Sequence, residues 1–209
     1  MTSIALLGTG RMATTLARAW LDKGNSLVLG SRNPEAAPAR LGALAEQVKV
    51  VGFAEACAGA EVIVMAVPFH AVGEVIGQCG DLTGKVVIDT TNPWSPGTDR
   101  LAVGPETSAA EEIARQARGA HVIKALNGIF YKALREPLAN GHKLSMFYCG
   151  DDDHSKSTVA ALALQLGFDP IDCGPLPRAR ILESIALLWA RLAFEQGMGT
   201  DIAITLVRR

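Results

Sequence analysis

The chain has 209 residues, with 20 lysines and arginines against 21 aspartates and glutamates, and its formal net charge is −1. Hydrophobic residues make up 49% and charged residues 20%, which is ordinary for a globular protein and argues against a nucleic-acid-binding surface. The longest apolar runs, 62–67 and 185–190, are far shorter than the roughly 18 residues that cross a bilayer, so no membrane association is predicted.

Strand and helix patterns alternate along the first half of the chain. An apolar run over 3–7 predicts a strand, and the helical spacing over 12–21 predicts a helix after a glycine-rich turn. The next predicted elements are a strand over 26–29, a helix over 34–46, a weak strand over 48–51, a short helix over 55–58, a strand over 61–67, a helix over 69–78 and a strand over 85–89. The strands over 61–67 and 85–89 are apolar on both faces, which is typical of a parallel sheet covered by helices.

The alternation continues through the second half. The predicted elements are a helix over 108–117, a strand over 121–125, a strand over 144–148, a helix over 156–166, a strand over 170–172, a long helix over 181–196 that ends at Gly197 and Gly199, and a final strand over 202–207. This order predicts an α/β fold of the Rossmann type, doubly wound, with a mostly parallel sheet. We expect one NAD(P)-binding domain over 1–209, completed by a C-terminal helix and a short strand within 174–209.

A glycine-rich hexapeptide follows the first predicted strand. Gly8-Thr9-Gly10-Arg11-Met12-Ala13 matches the G-x-G-x-x-G/A fingerprint, in which the first glycine permits the turn and the second lets the backbone approach a pyrophosphate. Ala13 allows close helix packing. Because the hexapeptide also opens a helix whose N-terminal amides favour an anion, we interpret it as a dinucleotide site rather than a structural turn.

The residues after the second predicted strand indicate which dinucleotide binds. A site for NAD would place an acidic residue there, whereas this chain has Ser31 and Arg32. A hydroxyl and a guanidinium suit a 2′-phosphate, so NADP(H) is the expected cofactor. Arg11 is either a second cation for the cofactor or a solvated residue at the helix start. The alternative interpretation of Ser31 and Arg32 is a polar turn before Pro34.

The carboxyl ends of five predicted strands should line the site, because ligands of open α/β sheets bind there. Beyond the hexapeptide and Ser31-Arg32, the expected cofactor contacts are Ala66, Val67, Pro68, Asn92, Pro93, Ala125 and Asn127. The amides of Asn92 and Asn127 suit a ribose or a carboxamide, although each could equally satisfy backbone groups of its own turn.

The remaining polar residues do not form a recognisable catalytic or metal-binding pattern. The four histidines and four cysteines have no metal-ligand spacing, and residues 151–154 suit a solvated helix N-cap. Lys124 could act near the nicotinamide, but we expect its side chain to reach solvent from the strand. No catalytic side chain and no metal ligand are assigned. No basic stretch precedes an apolar one at the N-terminus, so a cytoplasmic location is expected.

Five segments together resemble the F-420-dependent NADP reductase family. They are GTGRMA (8–13), SRNPE (31–35), IDTTNP (88–93), VIKALN (122–127) and the pattern G-P-L-x-x-A-R-x-L-E over 174–183. The resemblance covers nearly the whole chain. The same pattern is also similar to the cytosolic reductase domain of metalloreductases, which pass electrons from NADPH through a flavin.

The resemblance implies hydride transfer between the nicotinamide and carbon 5 of a deazaflavin, coenzyme F-420, or a flavin-like acceptor. Such a reaction depends on holding two rings in contact and needs no nucleophile. By resemblance, Thr9, Gly10, Arg11 and Met12 contact the pyrophosphate, Ser31 and Arg32 the 2′-phosphate, and Pro68, Asn92 and Ala125 the nicotinamide. The chain departs from the family at Ala36 and Ala37, where a lysine would assist the 2′-phosphate, and at the bulkier segment 127–131.

Two other functions remain open. Reductases of small imines or keto compounds share the fingerprint, but their pocket needs a helical domain of about a hundred residues, and only about 80 residues follow Asn127. A non-catalytic NADP(H)-binding regulator would keep the cofactor and lack the second substrate. We expect a homodimer, to which Leu188, Trp189 and Leu192 could contribute an apolar surface if they do not pack on the sheet.

Overall fold

The computed structural model describes residues 1–95, 97–98, 100–139 and 141–207, and the structural statements below concern these residues. The strands are β1 (Ser3–Leu7), β2 (Ser26–Gly30), β3 (Lys49–Val51), β4 (Val62–Met65), β5 (Val86–Asp89), β6 (His121–Ala125), β7 (Leu138–Ala139), β8 (His142–Lys143), β9 (Ser145–Gly150) and β10 (Asp169–Asp172). The helices are α1 (Arg11–Leu21), α2 (Pro38–Leu41), α3 (Phe53–Ala58), α4 (Val72–Gln78), α5 (Ala109–Gln116), α6 (Asp153–Gln165) and α7 (Ala179–Ala190).

Within the described residues, eight strands form one sheet in the order β10-β9-β6-β5-β4-β1-β2-β3. The six strands from β3 to β6 are parallel, β9 runs antiparallel to β6, and β10 is parallel to β9. The chain builds outward from β1 to β3 and then returns to the other side of β1 at β4. This reversal leaves a crevice between the ends of β1 and β4, as in dinucleotide-binding folds. The predicted doubly wound α/β fold is confirmed.

Both faces of the sheet are buried, because helices cover each of them. Ile4 and Leu6 of β1 point into a core cluster with α1 and α6, whereas Ala5 and Leu7 point into a second cluster with α3, α4, α5 and α7. Successive strand residues face opposite sides, so a strand covered on both sides must be apolar throughout. The uninterrupted apolar runs of β4 and β5 therefore reflect their central position.

The predicted strand over 202–207 is wrong. The segment lies beside the start of β9, but each of its hydrogen bonds to Ser145 there involves a side chain, so it forms no backbone ladder. It instead packs over the end of α7: Ile202 and Ile204 contact Trp189, and the Trp189 Nε1 donates to the Ile202 carbonyl at 2.8 Å. Thr205 Oγ1 accepts from the Ser145 amide at 3.0 Å. The C-terminal segment is held by side chains rather than by a sheet.

Two predicted helices differ in extent from the structure. The helix expected over 34–46 is divided into α2, which begins at Pro38 and ends at Leu41, and a 3-10 helix over Gly42–Glu46, whose first residue has a φ of 56° that a glycine adopts readily. The helix expected over 181–196 begins two residues earlier and passes into a π-helical turn, Arg191–Glu195. Among the described residues, no helix combines the length and the apolar character required to cross a membrane.

Candidate functional site

Gly8 lies where β1 meets the glycine loop, and its conformation requires glycine. Its φ is +120°, and a Cβ there would lie 2.6 Å from the Ala66 carbonyl oxygen. The Gly8 amide donates to the Gly30 carbonyl at 2.9 Å, and the Ala66 amide donates to the Leu7 carbonyl at 3.0 Å. The ends of β1, β2 and β4 are thus drawn together at this residue.

Gly10 is glycine for a different reason. Its backbone is extended, with φ −78° and ψ −180°, and an added Cβ would meet no atom within 4 Å. Neither the backbone conformation nor the packing of the protein therefore requires a glycine here. No side chain caps the first amides of α1, and its first turn carries no acidic residue. The empty space and the uncapped amides suit a phosphate group at the positive end of the helix.

A cavity of about 280 Å³ lies beside this loop and is called the glycine-loop cavity. Its walls include Gly8, Thr9 and Gly10 from the loop, and Ser31 and Arg32 after β2. These five predicted phosphate-binding residues therefore meet in one cavity, whereas Arg11 and Met12 are not among its lining residues. Arg40 lines the same cavity and was not anticipated from the sequence. It follows Ala36 and Ala37 by one helical turn, and α2 directs this part of the chain along the cavity.

A second cavity, of about 730 Å³, is called the central cavity. It shares Ala66, Val67 and Pro68 with the glycine-loop cavity, so the two form one groove along the carboxyl edge of the sheet. Its further walls include Met12, Phe69, Thr91, Asn92, Trp94 and Phe194. The groove passes from a polar, arginine-lined end to a larger end with aromatic walls.

Asn92 and Asn127 contact each other. Asn92 Nδ2 donates to the Asn127 carbonyl at 2.8 Å, and Asn127 Nδ2 donates to Asn92 Oδ1 at 3.1 Å and to the Leu182 carbonyl at 3.1 Å. Asn92 lines the central cavity, whereas Asn127 lines a small cavity beneath it. Pro93 and Ala125 are buried behind the wall and are not among the residues lining the two parts of the groove.

Lys124 does not reach solvent, and the expectation that it would is wrong. β6 lies between β5 and β9, so its end is enclosed, and the side chain is fully buried. Nζ lies 2.8 Å from Asp89 Oδ2, 2.8 Å from Glu183 Oε1 and 2.6 Å from the Thr91 carbonyl. Burial by itself lowers the pKa of Lys124, but the two carboxylates outweigh it and raise the pKa above its ordinary value. The ammonium is therefore charged.

Asp89, Lys124 and Glu183 are called the buried charge cluster. Their side chains are all fully buried. Glu183 also accepts from the amides of Ala109 and Ala110, at 3.1 and 3.4 Å, at the start of α5. Burial raises the pKa of Glu183, while Lys124 and these amides favour its charged form. The cluster joins the ends of β5 and β6 to α5 and α7 directly behind the central cavity.

Arg11 is exposed at the start of α1, and its guanidinium lies 5.6 Å from the centre of the Tyr131 ring. This cation–π contact keeps the cation beside the glycine loop without neutralising it. The hypothesis that Arg11 assists a phosphate thus remains open. In the described parts of the chain, no three His, Cys, Asp or Glu side chains are grouped so as to hold a metal ion.

The sheet order, the glycine loop and the continuous groove define a dinucleotide-binding protein of the Rossmann type. Residues 3–93 match the family described as NADP oxidoreductase, coenzyme F420-dependent. The chain is 31% identical over 219 residues to the F420-dependent NADP reductase of Methanocaldococcus jannaschii, an alignment that covers 97% of each chain. The protein belongs to the F420-dependent NADP reductase family and is an NADP-dependent oxidoreductase, as its sequence predicts.

Two further proteins are similar. A crystal structure described as a putative F420-dependent NADP-reductase from Arthrobacter sp. FB24 superposes with a TM-score of 0.90 at 31% identity, over the full length of both chains. Metalloreductase STEAP3 of Rattus norvegicus is 33% identical over 184 residues, which cover 88% of this chain but only 36% of that protein. The chain therefore spans about a third of the length of this metalloreductase.

The two loop glycines provide a paired prediction. Gly8→Ala places a Cβ against the Ala66 carbonyl oxygen and forces an alanine to adopt a positive φ. We therefore expect it to destabilise the fold by about 1–3 kcal/mol. Gly10→Ser meets no protein atom, and its hydroxyl can cap α1, so the unfolding midpoint should be unchanged or slightly raised. The serine occupies the open space at the amides, and NADPH binding should weaken at least about tenfold, by the loss of one or two charge-assisted hydrogen bonds.

Thermal unfolding and fluorescence titration with NADPH measure the two effects separately. A Gly10→Ser protein that binds NADPH like the wild type would contradict the assignment of this loop to the pyrophosphate.

Proposed function

We propose that the protein transfers a hydride between NADP(H) and the deazaflavin coenzyme F-420, or a flavin-like acceptor. The observation that carries this proposal is the continuous groove, whose arginine-lined end adjoins the glycine loop and whose larger end offers about 730 Å³ between aromatic and aliphatic walls. The names of the relatives described as F420-dependent NADP reductases support the deazaflavin.

In the proposed complex, the amides at the start of α1 and the backbone of Thr9 to Gly10 hold the pyrophosphate. Ser31, Arg32 and Arg40 surround the 2′-phosphate, for which the two guanidinium groups provide planar, charged donors. Arg40 supplies the positive charge that a lysine at the position of Ala36 or Ala37 would provide. Ala66, Val67 and Pro68 guide the cofactor from one cavity to the next.

In the same proposed complex, the central cavity orients the nicotinamide end of the cofactor. When bound, the nicotinamide supplies the carbon that gives or receives the hydride. Met12, Phe69, Trp94 and Phe194 provide apolar walls on which a planar ring can pack. Asn92, which faces this cavity, is held by Asn127 behind it, so both residues determine where a ring or carboxamide can rest. Catalysis of this kind depends on orientation and needs no nucleophile.

The choice of second substrate is tested directly with the purified protein. We expect reduced F-420 with NADP⁺ to give NADPH absorbance, and a cyclic imine or a keto acid with NADPH to give no turnover. Oxidised FAD and FMN with NADPH test the flavin-like alternative. Turnover of the imine or keto acid alone would replace the deazaflavin with a small substrate. NADP(H) binding without turnover of any of them would indicate a regulator.

The arginines of the glycine-loop cavity should determine cofactor preference. Arg32→Ala is expected to weaken NADPH binding by about 1.5–3 kcal/mol, the contribution of a charged hydrogen bond, and to leave NADH binding nearly unchanged. Arg40→Ala should act in the same direction. Arg118→Ala is a matched control, because this exposed arginine precedes β6 and lies at the opposite edge of the sheet.

Titration of each variant with NADPH and NADH, and with 2′-AMP and 5′-AMP, measures this preference. Equal losses for the phosphorylated and unphosphorylated ligands would overturn the assignment of Arg32 and Arg40 to the 2′-phosphate.

A cytoplasmic homodimer is the proposed state of the protein. One face of α7 supports the dimer, because Ile181 and Leu188, seven residues apart on this face, are both about half exposed. Light scattering should give twice the mass of one chain, and the double substitution Ile181→Lys and Leu188→Lys should reduce it to one. A wild-type mass of one chain would contradict the dimer.

A further inference from the structure

Lys124 is excluded from direct contact with a ligand. Its ammonium has three N–H donors, and three acceptors surround it: Asp89, Glu183 and the Thr91 carbonyl. The side chain is fully buried and lines neither part of the groove. Any role of the buried charge cluster in the reaction must therefore act through the groups to which it is bonded.

The cluster fixes both backbone groups of Thr91. Lys124 binds the Thr91 carbonyl at 2.6 Å, and Asp89 Oδ1 accepts from the Thr91 amide at 2.8 Å. Thr91 and the next residue, Asn92, form the wall of the central cavity. The orientation of this wall is thus set by two charged side chains behind it, one from its own strand and one from the neighbouring strand.

The end of β6 is fixed against the same wall. Leu126, between Lys124 and Asn127, has φ +62°, and among the residues that the structure describes it is the only non-glycine with a positive φ. A leucine rarely adopts this conformation, so the surrounding contacts must hold it there. Asn127 then bonds to Asn92 and to the Leu182 carbonyl, next to Glu183. Both strand ends are therefore attached to one turn of α7.

A contribution to stability does not account for this arrangement. Removing three charged groups from water is costly, and buried ion triads can often be replaced by neutral residues without loss of stability. A neutral, apolar replacement would fill the same volume, but it could not orient the amide and the carbonyl of Thr91. The charges of the buried cluster therefore contribute the orientation of the Thr91–Asn92 backbone at the central cavity.

We propose that Lys124 and Glu183 are positioning residues for hydride transfer, which hold the Thr91–Asn92 backbone in the orientation that the nicotinamide end of the dinucleotide requires. This inference rests on the proposed function. Because misplacement of a reactant by about 1 Å can slow a reaction about a hundredfold, a small rotation of this wall is sufficient to affect the rate. The adenosine end of the cofactor lies in the other cavity and is unaffected.

The test compares two variants with a matched control. Glu183→Gln is nearly isosteric and removes one charge. The triple variant Asp89→Asn, Lys124→Met and Glu183→Gln removes all three charges and so leaves no buried ion unpaired. The control is Glu111→Gln, which breaks the ion pair between Glu111 of α5 and Arg180 of α7, whose atoms are 2.6 Å apart. This pair joins the same two helices as Glu183 does, but it is not bonded to Lys124, through which Glu183 acts on Thr91.

Three measurements are made on each protein: the NADPH dissociation constant, the single-turnover rate of hydride transfer, and the emission of bound NADPH, which reports the surroundings of the nicotinamide. For both cluster variants we expect NADPH binding within about threefold of wild type, a hydride-transfer rate about ten- to a hundredfold lower, and an emission closer to that of free NADPH. Glu111→Gln should keep the rate and the emission of the wild type, even if its unfolding midpoint falls.

Three results would overturn the proposal. The first is a folded cluster variant with the wild-type rate and emission. The second is a rate loss matched by an equal loss of NADPH affinity. The third is a rate loss in Glu111→Gln equal to that in Glu183→Gln at equal thermal stability. If the triple variant does not fold, Glu183→Gln decides alone. If the wild type transfers no hydride, the proposed function fails, and the emission of bound NADPH still tests whether the cluster positions the nicotinamide.

Discussion

The close approach of β1 to β4 is the constraint on which the groove depends. These two strands are neighbours in the sheet, but the chain leaves them in opposite directions, to β2 and to β5. At their ends, Gly8 and the Ala66 carbonyl are too close for any side chain at position 8. This contact brings the glycine loop beside the segment 66–68, so that the cavities on either side share one wall. A wider separation would give two unconnected depressions instead of a groove for one extended ligand.

The two ends of the groove are built in different ways. At the glycine loop, Arg32 and Arg40 are exposed and line the cavity directly, beside the uncapped amides at the start of α1. Behind the central cavity, the charges of the buried charge cluster are bonded to one another and to the backbone. The first arrangement suits recognition of phosphate, and the second suits a ring that must be oriented while its own atoms react.

The sequence predicts the order of elements, the glycine loop and the family, because these depend on local patterns and on short motifs. It does not predict that Lys124 is buried, since a lysine in a strand normally extends to solvent. Only the pairing of β6 with β9 in the folded sheet encloses its side chain. Asp89, Lys124 and Glu183 lie in three separate segments that carry the family resemblance, yet nothing in their spacing indicates that they meet. Arg40 is missed for a similar reason: the expected long helix breaks at Pro38 and Gly42, which changes the direction of its side chains. The strand over 202–207 is wrong because an apolar pattern cannot reveal whether a segment pairs with a strand or packs on a helix, as this one does at Trp189.

The reversed direction of β9 limits the length of the groove. Because β9 runs antiparallel to β6, its carboxyl end lies at the far edge of the sheet and adds nothing to the row of strand ends that begins at β3. Between β3 and β6 this row spans five interstrand spacings, roughly 24 Å in all. A ligand that follows this row is limited in its extent, because the row of carboxyl ends stops at β6. One change of strand direction thus sets how long a ligand this edge of the sheet can hold.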